Sequence, residues 1–79
     1  MKSITVTIYE IGTSRMMKET FTISENQKED IMKRKDALYS SCPFDRKYYD
    51  VESQDSFTES EINMLADLDL IPTNRLITD

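Results

Sequence analysis

The sequence predicts a small α+β domain of ββαβα order, an antiparallel sheet built from a β-hairpin and a third short strand, with two helices packed on one side. Two observations lead there. Two runs of residues alternating at a period of two flank the only glycine, and two Ser/Thr-x-x-Gln/Glu patterns each precede a helical spacing of apolar residues. With 79 residues the chain is read as one domain spanning 1–79. A chain this short buries only about 60–65% of the surface its unfolded form exposes, which leaves a thin margin of stability.

The first strand rests on Ile4, Val6 and Ile8 alternating with Thr5, Thr7 and Tyr9, with β-branched residues on both faces. Gly12-Thr13-Ser14 then supplies turn chemistry before a second alternating run, in which Phe21 and Ile23 face one way and Thr20 and Thr22 the other. An antiparallel hairpin follows from that pattern. Ser24-Glu25-Asn26-Gln27 fits a capping box, so a helix is expected from Ser24 to about Ser40, with Ile31, Met32, Leu38 and Tyr39 on its apolar face. Cys42-Pro43 ends it, because proline biases the residue before it away from helical geometry.

Between Asp45 and Ser53, Tyr49 and Val51 alternate with Tyr48, Asp50 and Glu52, which reads as a third short strand or else an ordered loop. The second helix has the better start signal. Thr58 and Glu61 form another capping box, and Phe57 and Ile62 occupy the two positions of a hydrophobic staple. Ile62, Leu65 and Ala66 make its inward stripe, and Leu70 reaches Leu65 if Asp69 takes the left-handed position of a C-terminal cap. Pro72 prevents continuation. Thr73 to Asp79 are left as a tail that Leu76 and Ile77 pin to the body.

No apolar run approaches the roughly 20 residues that a membrane span requires, and the first residues lack a signal-peptide core. A lone Cys42 cannot close an internal disulfide, so a reducing cytoplasm is the expected location. The sequence has no histidine, which removes Ser-His and Cys-His nucleophile pairs and His-containing zinc sites. Cys42 itself then reads as a semi-buried structural thiol. No cofactor is expected, and enzyme chemistry survives only as metal-dependent carboxylate chemistry at Asp50, Glu52 and Asp55.

Charge is distributed unevenly. The first 49 residues carry a net charge of about +2 and the last 30 about −7, within a formal −5 overall. From Tyr48 to Asn74 there is no Lys or Arg, while Asp50, Glu52, Asp55, Glu59, Glu61, Asp67 and Asp69 fall within the same stretch. Glu59 and Glu61 are accounted for by the positive end of the second helix dipole. The missing basic residues are not, since an ordinary surface intersperses both signs. The two readings are a solvated acidic face and an acidic docking surface whose carboxylates stand in for phosphates before a basic groove.

Other constellations are weaker. Asp50, Glu52, Gln54, Ser56, Thr58 and Glu61 match a calcium loop in spacing, but Asp55 stands where glycine is needed for the sharp turn. The same residues read at least as well as loop, cap and staple of the second helix. Lys28 and Lys35 fall inside the apolar arc of the first helix, and Glu19 lies on the strand face of Met17, Phe21 and Ile23. The lysines either run along apolar surface with wet ammonium groups, or Lys35 pairs with Glu19 at the sheet–helix seam. Lys33, Arg34 and Lys35 are diluted by Glu29, Asp30 and Asp36, so direct nucleic-acid binding is not expected. Tyr39, Tyr48, Tyr49 and Phe44 are expected to cluster around the exit of the first helix, with Tyr48 outward beside Asp50 and Glu52.

In size, acidity, single cysteine, abundant methionine and ββαβα order, the chain resembles small inhibitors encoded by phages and mobile elements, such as anti-CRISPR and anti-restriction proteins. The likeness lies in overall make-up and carries no motif. It implies a non-catalytic inhibitor that occupies a basic surface of a nuclease or related host protein. The expected partner-binding residues are Tyr48, Asp50, Glu52, Asp55, Glu59, Glu61, Asp67 and Asp69. The alternative is a structural module that forms a homodimer through an exposed sheet edge.

Overall fold

Alternating β-branched residues make β1 (Ser3–Glu10), and the next alternating run makes β2 (Met16–Thr22). They are followed by α1 (Lys28–Ser41), β3 (Lys47–Glu52) and α2 (Glu59–Asp67), the expected ββαβα order. The structure is a computed structural model and describes residues 2–23 and 27–72. β1 is the central strand of a three-stranded sheet ordered β2-β1-β3, with both pairings antiparallel. β2 and β3 therefore run parallel to each other on either side of β1, joined through α1 as a split β-α-β arrangement.

Register divides the sheet into two faces, because side chains alternate along each strand. Ile4 lies opposite Phe21, Val6 opposite Glu19 and Val51, and Ile8 opposite Met17 and Tyr49. This is the inner face. Ile4, Val6, Phe21, Ile23 and Val51 join Ile31 from α1 and Met64 and Leu65 from α2 in one core cluster, while Ile8, Cys42 and Phe44 form a smaller one. Leu38 and Tyr49 pack against both. Each fully buried side chain such as Phe21 or Leu65 contributes about 1.5–3 kcal/mol relative to its exposed state.

The hairpin turn needs its glycine for backbone reasons. Gly12 has φ +90, and a Cβ placed there meets no atom within 4 Å. The left-handed conformation, not crowding, excludes other residues. Thr13 donates to Glu10 at 2.7 Å, and the Glu10 amide closes the turn on the Arg15 carbonyl at 3.0 Å.

α1 departs most from expectation. It begins at Lys28, and Gln27 at the N-cap position makes no side-chain cap hydrogen bond. Ser24 of the expected capping box lies outside the described residues. Only Ile31 of this helix is buried, whereas Met32 and Tyr39, expected on the apolar face, are 43% and 37% exposed. Polar ties supplement the narrow apolar seam. Arg34 lies over the Phe21 ring at 5.1 Å and pairs with Glu19 at 3.7 Å. Lys35 donates to the Leu68 carbonyl at 2.8 Å, so it serves the end of α2 and not Glu19. Successive helical residues point about 100° apart, which turns Arg34 toward β2 and Lys35 toward α2.

α2 matches its sequence signals at both ends, but its inward stripe is Met64 and Leu65 with Ile62 half-buried, and Ala66, expected inward, is exposed. The Thr58 hydroxyl accepts from the Glu61 amide at 3.2 Å and Glu61 accepts from the Thr58 amide at 2.8 Å, a complete capping box. Phe57 is buried and Ile62 packs against the core. At the other end Asp69 adopts φ 59, the Leu70 amide reaches the Leu65 carbonyl at 2.7 Å, and the Asp69 amide reaches Ala66 at 3.0 Å. These two bonds are a Schellman motif. They fold Leu70 and Pro72 back into fully buried positions. The expected tail at 73–79, with Leu76 and Ile77, lies outside the described residues.

Candidate partner-binding surface

The outer face of the sheet carries no described helix and is read in rows across the strands. Met16, Tyr9 and Tyr48 form one row, Lys18, Thr7 and Asp50 the next, and Thr20, Thr5 and Glu52 the third. Tyr48 is 53% exposed and stacks on Tyr9 with ring centroids 5.1 Å apart. This places Tyr48 away from the aromatic group at the helix exit, where Tyr39 and Tyr49 meet edge to face at 6.3 Å. The alternation that puts Tyr49 inward necessarily puts its neighbour outward. Tyr9 was on the same outward register as Thr5 and Thr7, so its cross-strand meeting with Tyr48 needed only the pairing of β3 with β1.

Glu52, at the end of β3, shares a small groove with Ser3, Thr5, Ser53, Gln54 and Asp55. The loop after β3 is latched to the start of β1. Ser53 donates to the Ser3 carbonyl at 2.6 Å, and the Asp55 carboxylate accepts from the Ser3 amide at 2.8 Å. One residue earlier, Lys2 donates to Glu61 at 2.7 Å. That hydrogen bond, followed by the Thr58 amide, holds Glu61 below the usual carboxylate range.

The structure therefore sorts the seven carboxylates. Asp50 and Glu52 project from the outer face of β3, and Asp55, Glu59 and Glu61 continue from it through the loop into the first turn of α2. Asp67 and Asp69 sit at the opposite end of that nine-residue helix, about 13 Å along its axis from the first group. Basic residues from the opening half neutralise part of the set. Lys2 pairs with Glu61, and Lys28 pairs with Asp67 at 3.0 Å. The Asp69 carboxylate accepts from the Tyr49 hydroxyl, which also lies 2.6 Å from the Asp69 carbonyl. Asp50 accepts from the Val51 amide at 3.0 Å. Glu52 and Glu59 are exposed and have no ion-pair or hydrogen-bond partner among the described residues.

The calcium spacing dissolves on the same geometry. Asp50 and Glu52 belong to a paired strand, Asp55 is engaged by the Ser3 amide, and Glu61 closes a helix cap. No group of three or more metal-ligating side chains forms among the described residues. Cys42 is buried and free. No helix among the described residues is long and apolar enough to cross a membrane.

A second concave region lies at the helix ends. A cleft of about 490 Å³ is lined by Lys35, Asp36, Tyr39, Ser40, Tyr49 and Asp69. Burial first, then the hydrogen bond to Asp69, pushes the Tyr49 phenol up to about 12, so it stays a neutral donor. Sequence reading placed Asp69 and Tyr49 separately but did not bring them together. The signal was a left-handed cap position occupied by Asp in place of Gly.

Comparison with protein-family models, with curated proteins and with solved structures returns no match to this chain.

Proposed function

We propose that the chain is a non-catalytic protein-binding module that docks on a basic, nucleic-acid-binding surface of another protein and blocks it stoichiometrically, in the manner of phage-encoded inhibitors. The observation that carries this reading is the continuous run of Tyr48, Asp50 and Glu52 on the face of β3 that carries no described helix, with Asp55 in the groove beside Glu52. An aromatic anchor bordered by unneutralised carboxylates suits a groove of lysines and arginines that otherwise contacts phosphates. Asp67 and Asp69 are less central, being at the far end of α2 and held by Lys28 and Tyr49.

Glu52→Lys combined with Glu59→Lys is the appropriate test, because both side chains are exposed and neither makes a cap or latch hydrogen bond, the reversal at Glu59 costing only its favourable placement at the α2 N-terminus, about 1 kcal/mol. The variant should fold normally and lose retention of a basic nuclease or nucleic-acid-binding protein captured with the wild type. Nucleic acid and rising salt should both displace the wild-type protein. Undiminished retention by the double variant, or a stable ternary complex with nucleic acid, overturns the reading.

The edge of β2 favours self-association as a second reading, since among the described residues β2 pairs only with β1. Symmetric antiparallel pairing centred near the middle of that strand sets Lys18 or Glu19 against its own copy, a like-charge contact. Light scattering separates the two readings, because a tight dimer belongs to the second.

A further inference from the structure

The cleft bounded by Lys35, Asp36, Tyr39, Ser40, Tyr49 and Asp69 lies where two helices end. Tyr39 and Ser40 belong to the last turn of α1, and Asp69 follows the C-cap of α2. Helix C-termini carry partial negative charge, and neither helix has a basic residue in its last turn, so lysines from elsewhere cap the terminal carbonyls instead. With those carbonyls capped, the charge that remains in the lining is two carboxylates, Asp36 and Asp69, against one ammonium, Lys35.

The chain's own lysines already respond to that field. Lys35 donates to the Leu68 carbonyl at 2.8 Å. Lys47 donates to the Tyr39 carbonyl at 2.8 Å and lies over the Tyr39 ring at 4.4 Å. These contacts leave capacity behind. Asp36 has no partner among the described residues, and Asp69 engages Tyr49 through one carboxylate oxygen, Oδ2. The Ser40 hydroxyl and the two tyrosine rings complete the lining.

We propose that this cleft binds a guanidinium group, carried either by an arginine side chain of a protein or by a free small molecule. A guanidinium is planar, presents five donors, is weakly hydrated and stacks on aromatic rings. The carboxylates of Asp36 and Asp69 and the Ser40 hydroxyl accept its hydrogen bonds, while Tyr39 and Tyr49 supply the aromatic wall. Tyr49 fixes the Asp69 carboxylate in place, so that group is oriented before the ligand arrives. An anion is disfavoured because Lys35, the only cation of the lining among the described residues, already serves Leu68. This site is separate from the β3 surface and does not require it.

The test is titration of the isotopically labelled protein, followed by amide chemical shifts. The probes are a short Gly/Ser peptide containing one arginine, the same peptide containing citrulline, and free N-acetyl-arginine amide. Saturable shifts confined to residues 35–40, 49 and 68–70, with citrulline inactive, uphold the site. Tighter binding of the peptide assigns the protein side chain as source, and equal binding of the free amide assigns the small molecule; both uphold it. Asp36→Asn with Asp69→Asn should weaken binding about tenfold, whereas Glu52→Lys with Glu59→Lys should leave the same residues shifting. If the first pair fails to fold, Asp36→Asn alone should weaken binding about threefold. Equal response to citrulline, no saturable shift, or unchanged affinity in the carboxylate variants overturns the proposal.

Discussion

Asp69 places two opposing effects on one residue, and replacing it separates them. Its φ of 59 lies in the left-handed region, which costs an L-residue roughly 1–2 kcal/mol, with Asp tolerated better than most. Asp69→Gly removes that cost but frees the unfolded chain by about 0.4–1 kcal/mol, for a net backbone gain of about 0.5 kcal/mol. Against it stands the Tyr49 hydrogen bond. Bonds to charged groups contribute about 1.5–3 kcal/mol and neutral ones about 0.5–1.5. The Tyr49 hydroxyl can fall back on the Asp69 carbonyl at 2.6 Å, so the loss is the difference, about 1 kcal/mol. Asp69→Gly should therefore destabilise the wild type by about 0.5 kcal/mol and stabilise the Tyr49→Phe protein by about the same amount. Thermal melts should register shifts of about 2–4 °C of opposite sign. Equal shifts of one sign in both backgrounds would refute the coupling. Alkaline titration gives an independent readout. Tyr49 is raised from 10.0 to about 12, so the native state gains stability from it below pH 10 and loses that contribution as pH rises through 12. Asp69→Gly should narrow that window without closing it, because burial is the largest cause of the shift.

Leu65→Ala empties a fully buried position and should cost about 2–5 kcal/mol, much of the total stability of so small a domain, read by urea denaturation. Glu61 is held low by Lys2 first and the Thr58 amide second, so its stabilisation is present above the ordinary carboxylate range and lost as pH falls through its lowered value. Lys2→Ala should flatten the acid limb of a stability profile, and an unchanged profile would contradict that assignment. Hydrogen exchange should find the amides of α1 opening more readily than those of β1, since this helix buries only Ile31 while β1 is paired on both sides. Equal protection would show that the polar ties hold α1 as firmly as the core holds the sheet.

Local chemistry was legible wherever one short segment contained all its determinants. Thr58, Glu61, Phe57 and Ile62 specify the start of α2 within six residues, and Asp69 with Pro72 specifies its end. The inward positions of Ile4, Val6, Ile8, Phe21 and Val51 follow from alternation alone. Sequence could not choose the partner of β3, because pairing is a long-range choice and its short run satisfies either neighbour. It also misjudged α1, where Met32 and Tyr39 have helical spacing but Arg34 and Lys35 take the seam through rings and carbonyls supplied by distant elements. The acidic run was visible as composition. Its division into a β3 surface and a helix-end cleft depended on which lysines folded against it.

That division changes what the charge asymmetry means. A basic first half and an acidic second half can reflect selection for an external partner, yet the same pattern helps the two halves find each other. Lys2 reaches Glu61, Lys28 reaches Asp67 and Lys35 reaches the carbonyl end of α2, so three contacts between the halves join a thinly packed α1 and the first strand to α2. Carboxylates engaged in this way are poor candidates for recognition, because an incoming cation must first displace a resident one. Among the described residues Glu52 and Glu59 face no such competition, and Asp50 and Asp55 accept only from backbone amides, which neutralise no formal charge. A partner selected by this surface should therefore respond to substitutions at those four positions far more than to equal changes at Glu61 or Asp67, even though all six contribute alike to net charge.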